Sequence, residues 1–175
     1  DTSYRGQLDY TGDRYGLLLE HLVIGDNFNP EMGFLRRDDM RKSFGQFRFS
    51  PRPASIGAIR KFSGTGAFSY IESGDGRLDT RALDSEFAIE FQNNDRFSVG
   101  ANATYEFLPR PFAIAPTVTI PVGGYDYASV RTGFNLGQQR KVSGFVSAEY
   151  GTFYDGHKAT LSMSRGRVNL SGHLS

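Results

Sequence analysis

Cysteine and tryptophan are both missing from the 175 residues of this chain. Without cysteine there is no disulfide framework, no thiolate metal site and no cysteine nucleophile, and the redox compartment stays open. No segment approaches the roughly 18 uninterrupted apolar residues of a membrane-spanning helix. That excludes a helical membrane protein but not a barrel, whose strands alternate and so keep hydropathy low. A mean hydropathy of -0.42 is therefore no evidence of solubility. An excess of one charge is missing too: 20 Lys and Arg face 19 Asp and Glu, for a formal net charge of +1. Bases and acids are interleaved, which removes the electrostatic footprint of a nucleic-acid binder, and no nucleic-acid partner is expected. Neither a basic n-region nor an apolar h-region follows Asp1, so the opening reads as mature or mid-chain sequence.

What the chain has in quantity is Gly 21, Phe 15 and Tyr 9, a heavy load of turn formers and β-favouring aromatics. Period-two alternation, which sends successive side chains to opposite faces of a strand, recurs along nearly the whole length. From Arg96 to Phe107 one face reads Phe97, Val99, Ala101, Ala103, Tyr105, Phe107, and the other Ser98, Gly100, Asn102, Thr104, Glu106. Val142, Gly144, Val146, Ala148 and Tyr150 oppose Ser143, Phe145, Ser147 and Glu149; Ala159, Leu161 and Met163 oppose Lys158, Thr160, Ser162 and Ser164; and Ala128, Val130, Thr132, Phe134 and Leu136 form another apolar row. Phe62, Phe68 and Tyr70 share a parity with Gly64 and Gly66, and Phe87 and Ile89 alternate with Glu86, Ala88 and Glu90.

Turn chemistry falls between these runs, at Thr11-Gly12-Asp13, Ser50-Pro51-Arg52-Pro53, Ser73-Gly74-Asp75-Gly76, Asn93-Asn94-Asp95 and Asp155-Gly156. The pattern predicts an all-β fold, an antiparallel meander of roughly eight to ten strands forming part of a transmembrane outer-membrane β-barrel. Apolar rows would face lipid and Ser, Thr, Asn and Glu rows the lumen, because strands this long with polar inward faces leave a soluble protein without a core. A soluble sandwich or ligand-binding barrel also alternates, and alternation alone does not say which face points inward. Aromatics at row ends, Phe97, Phe107 and Tyr150 among them, suit interfacial girdles, with Tyr and Phe standing in for the absent Trp.

The long non-alternating stretch is residues 25–42. It contains Asn27-Phe28-Asn29-Pro30-Glu31-Met32-Gly33-Phe34 followed by Arg37-Asp38-Asp39-Met40-Arg41. This resembles the signature of an outer-membrane barrel domain of unknown function that commonly follows a carbohydrate-binding module resembling family 9. There, an Asn-Phe-Asn-Pro-Glu-x-Gly-Phe run precedes an Arg-x-Asp-x-Arg element. The resemblance extends more weakly through Phe47–Pro53 to Arg167–Ser171. It implies a barrel associated with cell-surface glycan handling, with glycans as possible partners, and carries over no catalytic residues. Members of that family are several times longer, which implies that residues 1–175 are one segment of a longer barrel, completed by further strands or neighbouring chains.

Read physically, the charged cluster of Asp26, Asn29, Glu31, Arg36, Arg37, Asp38, Asp39 and Arg41 cannot face lipid, where an Arg near the midplane costs roughly 2–4 kcal/mol. It lines the lumen or a loop. Either the arginines form a selectivity element, or they pair with Glu31, Asp38 and Asp39 to brace the wall; the balance of acid and base within one run favours bracing. Oxygen ligands at Asp26, Asn27, Asn29 and Glu31 do not match an EF-hand spacing, so no metal or other cofactor is expected. Gly64-Thr65-Gly66 and Gly123-Gly124 open no helix and read as bulges or tight packing, not phosphate cradles. His21, His157 and His173 accompany no nucleophile elbow, and Glu86 and Glu90 read as lumen lining, so a hydrolase ranks below a passive channel or anchor and below a structural subunit of a surface complex.

Overall fold

The computed structural model describes residues 2–26, 39–115, 118–153 and 156–168. Every regular element among them is a strand. Nine form one sheet: β1 (Ser3–Thr11), β2 (Tyr15–Ile24), β3 (Met40–Phe49), β4 (Ile59–Ser73), β5 (Leu78–Phe91), β6 (Arg96–Leu108), β9 (Gly123–Leu136), β10 (Val142–Phe153) and β11 (Gly156–Val168). Each pairs antiparallel with the next, so the sheet is a meander in chain order. One departure was not legible beforehand: between β6 and β9 the chain forms a separate two-stranded sheet from β7 (Phe112–Ala115) and β8 (Val118–Ile120). Gly64 and Gly66 lie within the regular β4 ladders, not at bulges; the β4 irregularities fall at its two ends.

The sheet is open. β1 and β11 are its edges, and nine strands in strict antiparallel succession leave those two running in the same direction.

Register carries one row of side chains across all nine strands on each face. Opposite Val99, for example, stand Phe87 on β5 and Thr132 on β9. One face is apolar: every large hydrophobic side chain exposed within the nine-stranded sheet, Val142 and Val168 excepted, lies on it. Aromatics mark its two margins. Tyr10, Tyr15, Phe49, Phe62, Phe97 and Phe134 run along the margin at the β1–β2, β3–β4, β5–β6 and β9–β10 turns; Tyr4, Tyr70, Tyr105, Phe107 and Tyr150 run along the other. Tyr15 stacks on Phe49 with centroids 5.1 Å apart, and Phe62 on Phe87 at 5.9 Å. Arg81 and Asp126, 3.7 Å apart, stand on this face in the row of Tyr105; between that row and the opposite margin the face carries no Asp, Glu, Lys or Arg.

Burial alternates with the same parity. On β9 Gly124, Asp126, Ala128 and Val130 are exposed while Tyr125, Tyr127 and Ser129 are partly buried; on β5 Leu83 and Phe87 are exposed while Glu86 is partly buried and Ala88 fully so. A sheet that curls crowds its inner face and opens its outer one. The polar face is thus concave and the apolar face convex, the reverse of a soluble barrel with a greasy interior.

Candidate functional site on the concave polar face

Two carboxylates on the concave face are each held by cations from neighbouring strands. Glu20 on β2 accepts from Lys42 on β3 at 3.1 Å and from Arg5 on β1, and its side chain is largely buried. Glu86 on β5 accepts from Arg96 on β6 at 2.6 Å, and Arg131 on β9 lies 3.9 Å from its other oxygen. Beside it Asn102 donates to Asp84 at 2.8 Å and accepts from the Thr104 hydroxyl at 3.1 Å. Gln46, Thr65, Asp84, Glu86, Asn102 and Arg131 line a recess of about 290 Å³. The surface is one of hydroxyls, amides and compensated charges, which hydrates readily and attracts no ion of either sign strongly.

The rim is braced turn to turn. Asp95 in the β5–β6 turn accepts from Arg140 Nε and from the Gly137 N–H in the β9–β10 turn, both at 2.9 Å, and from Asn93 at 3.1 Å. The Arg140 hydrogen bond, aided by that of Gly137 and opposed by burial, holds the Asp95 carboxyl below the usual carboxylate range. Arg52 does the same for Asp13 through a bidentate pair. Arg48 caps the β1–β2 turn, donating to the Asp13 carbonyl at 3.2 Å, to the Gly12 carbonyl and to the Ser50 hydroxyl at 2.9 Å.

Of the charged cluster read from the sequence, Asn29, Glu31, Arg36, Arg37 and Asp38 lie outside the described residues. Asp26 is exposed just beyond β2. Asp39 has φ 45°, and its carbonyl accepts the Gly74 N–H at 2.8 Å. Arg41 lies in β3, opposite Val23 and Glu72, and donates to Glu72 at 3.1 Å. Its described acid partner is therefore on the next strand, 31 residues away.

Glu86 and Glu90 do share the concave face, but each is engaged by arginine, Glu90 by Arg60 at 3.3 Å. His21 Nδ1 and Ser43 Oγ lie 3.0 Å apart across β2 and β3, within nucleophile–base reach. Ser43 is nevertheless ladder-paired on both sides, to His21 and to Tyr70, so its backbone offers no donors for an oxyanion. The contact is a cross-strand hydrogen bond. His157 is the second residue of β11, stacked on Tyr150 with centroids 5.7 Å apart; His173 lies outside the described residues.

The strand-borne pairs Glu20 with Arg5 and Lys42, and Glu86 with Arg96 and Arg131, were not identified as pairs from the sequence. Their members are separated by 10 to 45 residues. Polar parity on each strand was the available signal, and it names a face without naming partners. Comparison with family models, with curated proteins and with solved structures returned no match to this chain.

Proposed function

We propose that this chain is wall from a bacterial outer-membrane β-barrel that serves as a passive polar passage or anchor at the cell surface. The observation that carries the reading is the convex apolar face, exposed across nine strands, whose ion pair of Arg81 with Asp126 stands in the Tyr105 row at one aromatic margin and which is free of charged residues from there to the other margin. Burying that face in hydrocarbon removes its cost, whereas in water it would be a very large exposed patch. Dimensions agree. From Phe97 to Phe107 a strand advances about 33 Å, and at a tilt of about 40° this spans about 25 Å, the height of an outer-membrane apolar band. The concave face, hydroxylated and charge-compensated, suits passage of neutral polar solutes; an association with glycan handling rests on the resemblance of residues 25–41 alone.

A second reading, a structural subunit of a surface complex, is favoured by the unpaired edges of β1 and β11. In hydrocarbon, unpaired strand backbone is not tolerated. Because the two edges run parallel, an all-antiparallel closure requires an odd number of further strands between them. A second copy related about the barrel axis would meet β11 with a parallel β1 and does not supply that closure.

The absence of native cysteine makes a direct test clean. Single cysteines at Leu83 and Val130 on the convex face, and at Asn102 and Ser129 on the concave face, are introduced into the native assembly and given nitroxide labels. Convex labels should be relaxed by oxygen dissolved in lipid and concave labels by a water-soluble reagent. Relaxation of all four by the aqueous reagent alone, in protein that stays in solution without detergent, would overturn the reading.

A further inference from the structure

The two ends of the sheet differ in charge. The turns at residues 12–14, 50–58, 92–95 and 137–141 lie at one end, and both of their acids, Asp13 and Asp95, are already engaged by Arg52 and Arg140. Beyond these pairs Arg14, Lys141, Arg165 and Arg167 are exposed at the same end and form no salt bridge among the described residues. Arg14 lies in the β1–β2 turn at one side of the sheet, and Lys141, Arg165 and Arg167 lie together in the β9–β10 turn and β11 at the other. At the opposite end the described turn residues that are charged and exposed are Asp26, Asp39 and Asp75 together with Arg110 and with Arg77, which is paired to Asp79. A net charge of +1 thus conceals a basic rim and a more acidic one.

The basic rim sits immediately outside an aromatic margin. Arg14 precedes Tyr15 in the chain, and Lys141 lies at the turn that follows the strand bearing Phe134. Going outward, the convex face passes from aliphatic to aromatic to cationic, the order in which a bilayer passes from acyl chains through the interfacial region to phosphates. We propose that this rim is a docking collar for phosphate-bearing anionic lipid headgroups, with Arg14, Lys141, Arg165 and Arg167 as its contacts. The inference rests on the lipid-facing reading of the convex face and adds to it an orientation: the collared rim lies against the more anionic leaflet surface.

The test uses the protein in its native assembly and two kinds of vesicle, phosphatidylcholine alone and phosphatidylcholine with phosphatidylglycerol. Membrane association of the unmodified protein should rise at least tenfold with phosphatidylglycerol and fall with salt, at about fivefold per cation engaged. Replacing the four cations together (Arg14→Gln, Lys141→Gln, Arg165→Gln, Arg167→Gln) should remove most of that preference while leaving heat-resistant, protease-protected insertion into phosphatidylcholine unchanged. Arg110→Gln with Lys158→Gln, nearer the opposite end, should keep the preference, which separates the collar from net charge. Equal insertion of the unmodified protein into both vesicles would overturn the collar and leave the barrel reading standing. Insertion into neither would remove both. Suppression of the preference by millimolar inorganic phosphate at fixed ionic strength would mean that the rim takes free phosphate, and would overturn the lipid assignment.

Discussion

Arg131 on β9 reaches the Glu86 carboxylate on β5 across the whole width of β6, and it does so over Gly100. Glu86 and Arg131 are each the ladder partner of Gly100, and a Cβ at that glycine would sit 3.6 Å from the Arg131 guanidinium and 3.0 Å from the Ser85 carbonyl. The missing side chain opens the path for the pair, whose closest atoms are 3.9 Å apart. A Gly100→Leu variant should lose this bridge and strain β5 against β6, lowering stability by about 1–3 kcal/mol. Arg131→Gln alone should cost about 0.2–1 kcal/mol, since both side chains are part-exposed. Thermal unfolding of both singles and the double checks it; fully additive losses would show that Gly100 does not serve the pair.

Asp95 should make the rim sensitive to acid. Its carboxyl is held below the usual range by Arg140 and the Gly137 N–H, so its contribution is fully present above the ordinary carboxylate pKa, about 4, and is lost as pH falls through its lower folded value. Asp95→Asn should lose that stability at neutral pH, by about 1–3 kcal/mol as the Arg140 bonds go unanswered, and should show a flatter acid limb. Denaturation midpoints from pH 7 down to pH 2, compared between the two proteins, decide the matter. An unchanged acid limb would mean other carboxylates govern it.

Two glycines of similar sequence context should behave oppositely. At Gly151 a Cβ would meet the Ala128 carbonyl at 2.5 Å and the Ser129 Cα at 2.8 Å, so Gly151→Ala must push β9 and β10 apart. It should destabilise by about 1–3 kcal/mol. At Gly66 nothing lies within 4 Å, and Gly66→Ala should be neutral or stabilising by a few tenths of a kcal/mol because alanine restricts the unfolded chain. Heat resistance of the folded species ranks the two, and a reversed order would contradict the packing described.

Arg41 gives the charged stretch a specific test. Its Glu72 pair is half-exposed on the arginine side, so Arg41→Ala should cost only about 0.2–1 kcal/mol. Solute or ion selectivity should stay as it is, because the contact braces β3 against β4. A clear selectivity shift with unchanged stability, measured as planar-bilayer conductance beside heat resistance, would make it part of a filter instead.

The parallel edges also have a readout. Cysteines at Gln7 on β1 and Ser162 on β11 should not form a direct disulfide within one copy, because the proposed all-antiparallel closure would place an odd number of further strands between these parallel edges. Rapid oxidation to an intramolecular disulfide would establish a direct parallel seam.

Local alternation identified the rows on β4, β5, β6, β9, β10 and β11, because a strand writes its two faces into successive residues; it gave no sign of the register shift between Ser143 and Phe145 that interrupts the β10–β11 ladder. Turn residues likewise marked the β1–β2, β4–β5 and β5–β6 connections correctly, since Gly, Asn and Asp relieve backbone strain wherever a chain reverses. The β7–β8 hairpin was too short to leave a periodic signature, and most of the cluster in residues 25–42 lies outside the described residues.

Other features were decided in three dimensions. Which face is concave depends on how nine strands coil together, and no single strand encodes it. Strand parity placed Glu86 among polar neighbours; cross-strand register, a relation between distant segments, chose Arg96 and Arg131 as its partners. Composition determined that the charges nearly cancel, but only folding sorted them, gathering Arg14, Lys141, Arg165 and Arg167 at one rim and Asp26, Asp39 and Asp75 at the other, because alternate strand ends meet at opposite edges of a meander.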